Sequence, residues 1–163
     1  MIRRAHPDEA GRLTAIAHEA KRSWGYPESW IEAWRKDLTV DREYLGEHQV
    51  FVIAPDAEPV GFYSLEGTGP VLELGHFWVS PDEMGHGIGR VMFEHALEQA
   101  AQAGSRELRV DSDPNASGFY ERMGAVYCGE IEASMDGVPR TRPQYRFDLT
   151  EKAARFGDGA GRS

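Results

Sequence analysis

At 163 residues the chain is long enough for one domain with a core of its own. Its net charge of -9 argues against the phosphate backbone of nucleic acid as a partner, and it has no apolar run long enough to span a membrane. The single cysteine, Cys128, excludes an internal disulfide and a cysteine-rich metal site, and with no secretory signal in "MIRRAHPDEAGRL" a reducing cytoplasm fits.

In chain order, "IRRA" reads as a short strand, and Pro7 and Asp8 open a helix on which Ala10, Leu13, Ile16, Ala17 and Ala20 recur at helical spacing. "WGYP" interrupts it. "ESWIEAWRKDL" is a second helix, with Trp30, Ile31, Trp34 and Leu38 as its apolar face. "QVFVIAP" and "VGFYSLEG" form a strand hairpin across the turn from Pro55 to Pro59. "VLELGHFWVS" is a longer strand stopped by Pro81. Ile88, Met92, Phe93, Ala96, Leu97 and Ala100 mark one face of the next helix, which Gly104 ends. "RELRVDSD" is a strand, "ASGFYERMG" a short helix, and "AVYCGEIEA" and "PQYRFDLT" the last two strands around an Asp136-Gly137 turn. The order implies an α+β fold: a mixed, mostly antiparallel sheet flanked by helices. One strand-helix-strand crossover should make the strands around Trp78 and Leu108 parallel. The domain should span residues 1–150, with 151–163 a mobile tail.

"WVSPDEMGHGIGR" places Gly85, Gly87 and Gly89 between that longer strand and the helix. A helix N-terminus attracts anions, and glycines let the backbone approach a phosphate closely. The P-loop lysine is absent, and the spacing is one residue short of the dinucleotide fingerprint. "EMGHGIGR" instead resembles the pyrophosphate loop of the GNAT acetyltransferase family, and "DPNASGFYERMGA" resembles that family's second motif, an Asn followed by a Tyr-bearing helix and a Gly. The resemblance runs from about Ile2 to Leu149. Met84 departs from it, standing where the family usually has Gln or Arg; its side chain cannot donate to phosphate, so any contact there must come from its backbone N–H.

The resemblance implies acetyl-CoA as cosubstrate and no metal. It places the pyrophosphate on the loop of Met84, Gly85, His86, Gly87, Ile88, Gly89 and Arg90. The pantetheine arm would run along Phe77, Trp78 and Val79, where this strand splays from its parallel neighbour, with Asn115 bonded to the arm and Tyr120 near the sulfur. The implied reaction is direct attack by an amine on the thioester, with Tyr120 as the acid for the leaving thiolate. The candidates for the base are Glu73, where several family members carry a glutamate, and His76, which titrates in the useful range. They are three residues apart, so a regular strand puts them on opposite faces, unless a bulge near Phe77 changes the pattern beyond it.

The resemblance also implies an acceptor pocket built from the first two helices and the last hairpin; here the helices would contribute Trp24, Tyr26, Glu28 and Trp30, and Glu66 and Tyr63 on the neighbouring strand could line it. Aromatic rings beside carboxylates suit a cation. The acceptor expected is a small cationic amine. Two other readings stay open, a non-catalytic acyl-CoA sensor and an enzyme acting on protein N-termini or lysines. A homodimer through the last hairpin is common in similar proteins. The six histidines show no paired metal-binding spacing.

Overall fold

The computed structural model describes residues 1–152. The tail expected beyond Glu151 lies outside the described residues from position 153 onward. Among the described residues, seven strands form one sheet: β1 (Ile2–Arg4), β2 (Gln49–Ile53), β3 (Gly61–Glu66), β4 (Val71–Val79), β5 (Glu107–Asp111), β6 (Val126–Glu132) and β7 (Thr141–Asp148), in the order β1-β2-β3-β4-β5-β7-β6. The helices are α1 (Ala10–Arg22), α2 (Glu28–Ala33), α3 (Arg35–Leu38), α4 (Arg42–Glu47), α5 (Ile88–Gln102) and α6 (Ser117–Arg122).

The crossover through α5 produces the expected parallel pair, β4 with β5. In its register Leu108 lies opposite Leu72. The ladder runs from Val71↔Glu107 to Glu73↔Arg109, so it covers the first third of a strand that continues to Val79. The pairs β1–β2, β2–β3, β5–β7 and β6–β7 are antiparallel.

Two differences from the expectation concern helices. The single helix expected over "ESWIEAWRKDL" is broken at Trp34, whose backbone (φ -89°, ψ 2°) leaves the helical path between α2 and α3. Helix α4 had no counterpart in the reading of the sequence. It is started by Asp41, whose carboxylate accepts the Tyr44 N–H at 2.8 Å.

The chain divides into two compact units, Met1–Leu65 with Gly75–Phe93, and Glu66–Leu74 with the chain from Glu94. In the first, the apolar stripe of α1 (Leu13, Ile16, Ala17) packs with Ile31, Leu38, Val40, Val50, Val52 and Phe62. Each buried Leu, Ile, Val or Phe side chain among these contributes about 1.5–3 kcal/mol by leaving water. Thr14 closes this core at its edge, its hydroxyl donating to the Val40 carbonyl and accepting the Val40 N–H. Strands β2 and β3 are buried almost throughout, which explains their near-continuous apolar sequences.

In the second unit β5 alternates, with Leu108 and Val110 inward and Glu107, Arg109 and Asp111 outward. Strand β6 is the outer strand. Its register with β7 shifts between Tyr127 and Gly129, leaving Cys128 as the extra residue of a bulge. Asp136 (φ 50°) and Gly137 (φ 75°) make the expected two-residue turn, closed by the Met135–Val138 bridge.

Candidate functional site

The three alternate glycines are not equivalent. Gly85 (φ 84°) and Gly87 (φ 81°) are in the left-handed region, whereas Gly89 is already inside α5. A Cβ added at Gly85 or Gly87 would have nothing within 4 Å. The glycines are therefore not there to relieve crowding within the protein. They set a backbone course that other residues resist, and leave open space in front of it. The Val91 N–H donates to the Gly87 carbonyl at 3.2 Å, so Gly87 caps a 15-residue helix. The first-turn N–H groups of such a helix have no acceptor within it, and the dipole adds partial positive charge. This is the local chemistry a pyrophosphate requires.

Met84 and His86 complete the loop differently. Met84 N–H donates to the Pro81 carbonyl at 3.3 Å, so the backbone donor expected to stand in for its apolar side chain is engaged inside the turn. His86 is exposed, with Nδ1 3.8 Å from the Glu83 carboxylate.

Along β4, Leu72, Leu74 and His76 are buried while Glu73 points to the exposed side, so the two candidate bases do lie on opposite faces. The alternation stops at Phe77, and Phe77, Trp78 and Val79 are all half-buried. Partial burial and then the nearby Asp111 hold the Glu73 carboxyl above the usual carboxylate range, with Arg109 opposing them. Asp111 is itself held in place, its Oδ1 accepting from Gln144 Nε2 at 2.9 Å. His76 is 7% exposed, and its Nδ1 accepts the indole N–H of Trp78 at 3.0 Å.

Of the expected acceptor residues, Tyr63 is in the core. It is fully buried and stacked on Phe51, ring centroids 5.4 Å apart, and burial pushes its phenol up; it does not line an open surface. The cross-strand pairing Phe51↔Tyr63 puts the two rings together. Glu28 makes an exposed ion pair with Arg22 at 2.9 Å. Trp24, Tyr26 and Trp30, the expected pocket aromatics, gather around Lys21 and Trp34, and the sequence offers Trp34 only as part of a helix's apolar face. Tyr26 stacks on Trp30 (5.9 Å) and meets Trp34 edge-on (5.0 Å). This group already faces a cation: Lys21 Nζ lies 4.2 Å from the Trp34 ring centre, 5.2 Å from Tyr26 and 5.8 Å from Trp24. Lys21 is in the last turn of α1 and Trp24 lies just past its end, so no regular helical spacing announces this contact.

In the second unit, Asn115 is exposed at a short turn, where its backbone N–H and its Nδ2 both donate to Asp113 Oδ1, at 2.8 and 2.9 Å. Tyr120, on α6, is buried between Phe119 and Tyr145. Burial, reinforced by Asp113, raises its phenol well above the ordinary value, so the hydroxyl stays protonated. Among the described residues, no three His, Cys, Asp or Glu side chains are grouped as a metal site, and no helix is long and apolar enough to cross a membrane.

Residues 13–145 match the family described as Acetyltransferase (GNAT) domain. The peptidyl-lysine N-acetyltransferase YjaB of Salmonella typhimurium is 32% identical over 141 residues, covering 85% of this chain and 91% of that protein. Among solved structures, a GCN5-related N-acetyltransferase from Rhodopseudomonas palustris superposes with a TM-score of 0.74 at 23% identity, covering 91% of this chain and 94% of that one. The PaiA N-acetyltransferase of Thermoplasma acidophilum, solved in complex with coenzyme A, has a TM-score of 0.68 at 19% identity, over 90% and 98% of the two chains.

Proposed function

This chain belongs to the GNAT acetyltransferase family, and on that premise we propose that it transfers an acetyl group from acetyl-CoA to a primary amine on a small cationic acceptor. The observation that carries the reading is the pair of left-handed glycines, open in front, that leads into the N-terminus of α5. When bound, acetyl-CoA supplies a thioester that an amine can attack directly.

The N–H groups from Gly85 to Arg90 bind the pyrophosphate, with the Arg90 guanidinium adding charge. The backbone of the strand segment Phe77 to Val79 and the Asn115 side chain take the pantetheine arm. Glu73 is the base. An alkyl ammonium has a pKa of about 10.4 and must lose a proton before it can attack. A carboxylate whose pKa is raised by burial and by Asp111 accepts that proton more readily than an ordinary one. Tyr120 donates its hydroxyl hydrogen to the departing sulfur, and a phenol kept neutral by burial is suited to that. Trp24, Tyr26 and Glu28 form the wall that receives the acceptor's positive charge. The setting proposed is the cytoplasm, where Cys128 stays reduced.

A second acceptor is favoured by one observation. The Salmonella relative is named for acetylating peptidyl lysine, and a lysine side chain is itself an alkyl ammonium. Thiol release from acetyl-CoA, measured against a panel of mono-, di- and polyamines and a lysine-containing peptide with a no-amine control, separates the cases. Amine-dependent release supports the enzyme; the best kcat/KM names the acceptor. Acetyl-CoA should also raise the melting temperature, because ligand bound to the folded state adds about 2.7 kcal/mol at a hundred times Kd. A melting curve unmoved by millimolar acetyl-CoA would remove the cofactor assignment.

A further inference from the structure

We propose that His76 is a positioning residue for acceptor binding: it fixes the indole of Trp78 and takes no proton from the acceptor. The inference rests on the proposed acceptor wall, since Trp78 lies beside Trp24, ring centroids 6.0 Å apart. Residues 76 and 78 are two apart on a strand, so their side chains share a face and can meet. They do so through the 3.0 Å bond from the indole Nε1–H to His76 Nδ1.

An imidazole accepts only through a nitrogen that carries no proton, so the neutral ring holds its proton on Nε2. A general base needs a lone pair directed at the proton it removes. The His76 lone pair is directed at an indole on its own strand. The rest of the residue is held as firmly. Its backbone N–H donates to Ser64 Oγ at 2.8 Å, and that oxygen is 2.7 Å from the Tyr44 hydroxyl. The ring packs edge-on to Tyr44 (5.3 Å) and tilted on Phe62 (5.7 Å). A continuous set of contacts thus leads from a buried serine through His76 and Trp78 to Trp24, and Trp24 borders the Lys21 ammonium. The wall already accommodates an alkyl ammonium of this chain, so the orientation of its rings matters for a cationic acceptor.

The test compares His76→Asn and His76→Phe in the full chain. Asparagine keeps an acceptor oxygen near the position of Nδ1 and cannot serve as a base at neutral pH. Phenylalanine keeps the ring and loses the acceptor. The expected result is that His76→Asn retains turnover, acceptor KM and the acid limb of the pH profile. His76→Phe should raise acceptor KM about two- to tenfold, the effect of one neutral hydrogen bond, with kcat and acetyl-CoA affinity unchanged. The Trp78 indole N–H resonance should hold its position in His76→Asn and move upfield in His76→Phe. A fall in kcat of about 10²-fold with loss of the acid limb in His76→Asn would make His76 the base and overturn the proposal. So would an unchanged acceptor KM in His76→Phe. If wild-type protein acetylates no amine at all, the proposed function fails, and the resonance still decides whether His76 holds Trp78: an indole signal unmoved in His76→Phe overturns that part.

Discussion

Gly87, like Gly85, combines a positive φ (81°) with open space where a side chain would point, and it also caps α5, which makes it the most informative single residue of the loop. Gly87→Val puts a branched side chain into that space and forces a left-handed backbone that costs it about 1–2 kcal/mol. The apo protein should still fold, with a melting temperature lower by about 2–8 °C. The stabilisation by acetyl-CoA should disappear; calorimetry showing wild-type affinity would reduce the loop to a turn. Tyr120→Phe removes one hydroxyl and keeps the ring between Phe119 and Tyr145. Turnover should fall by about 10²-fold with acetyl-CoA affinity preserved, because a proton donor to the leaving group acts in the transition state. Its raised pKa keeps the phenol protonated well past neutrality, so this variant should leave the pH profile's shape unaltered. Wild-type turnover with a good acceptor would remove the acid assignment. The left-handed turns at Gly85 and Gly87 were legible in the sequence because glycine is the residue that takes positive φ without strain. The bond between His76 and Trp78 was not, because an imidazole on a strand reads equally as base, ligand or brace until its partner is seen. Tyr63 read as a candidate to line the acceptor pocket, and its full burial against Phe51 depends on what packs on that face of the sheet, which no local pattern displays.

At the level of elements, β5 brings charge to β4 in a way that can be tested by pH. Strand alternation puts Glu107, Arg109 and Asp111 on the exposed face, and the parallel register sets Arg109 opposite Glu73. Asp111 raises the Glu73 pKa, as do Glu66 and Glu107 more weakly, while Arg109 lowers it. Removing the negative charge with Asp111→Asn should therefore lower the Glu73 pKa and move the acid limb of kcat/KM to lower pH. Arg109→Gln should move it the other way. Asparagine can still accept from Gln144, so the first change isolates charge from structure. The profile of Glu73→Gln is the reference: if it retains the wild-type acid limb, Glu73 is not the base. Most elements were readable from periodicity, since long amphipathic segments such as α1 and α5 carry their own signal. The short ones were not. The helix breaks at Trp34, whose ring packs against Tyr26 and Lys21, contacts that no local apolar period displays. Helix α4 has six residues, too few for an apolar period, although the Asp41 cap was there to be read. The offset of Leu108 to Leu72 depends on where a ladder begins, and a sequence of alternating residues leaves that open.

On the scale of the whole molecule, a net charge of -9 acts oppositely on the two proposed substrates. It repels a polyanionic coenzyme, which must be held by local groups such as the loop N–H donors and Arg90. It attracts a cationic acceptor from a distance. That attraction is screened beyond about 10 Å at 0.1 M salt and beyond about 3 Å at 1 M. Acceptor KM should therefore rise with ionic strength, and the rise should depend on the acceptor's charge. A diamine with two positive charges should show roughly twice the slope of log KM against log salt found for a monoamine of similar size, since the work of approach scales with charge. The measurement uses steady-state kinetics at fixed pH and saturating acetyl-CoA, from low to high sodium chloride. It separates the field of the whole protein from the cation–ring contacts of Trp24 and Tyr26, which act at short range and contribute to both amines alike. Equal slopes for the two amines would mean that the acidic surface serves solubility alone and that recognition of positive charge is confined to the aromatic wall.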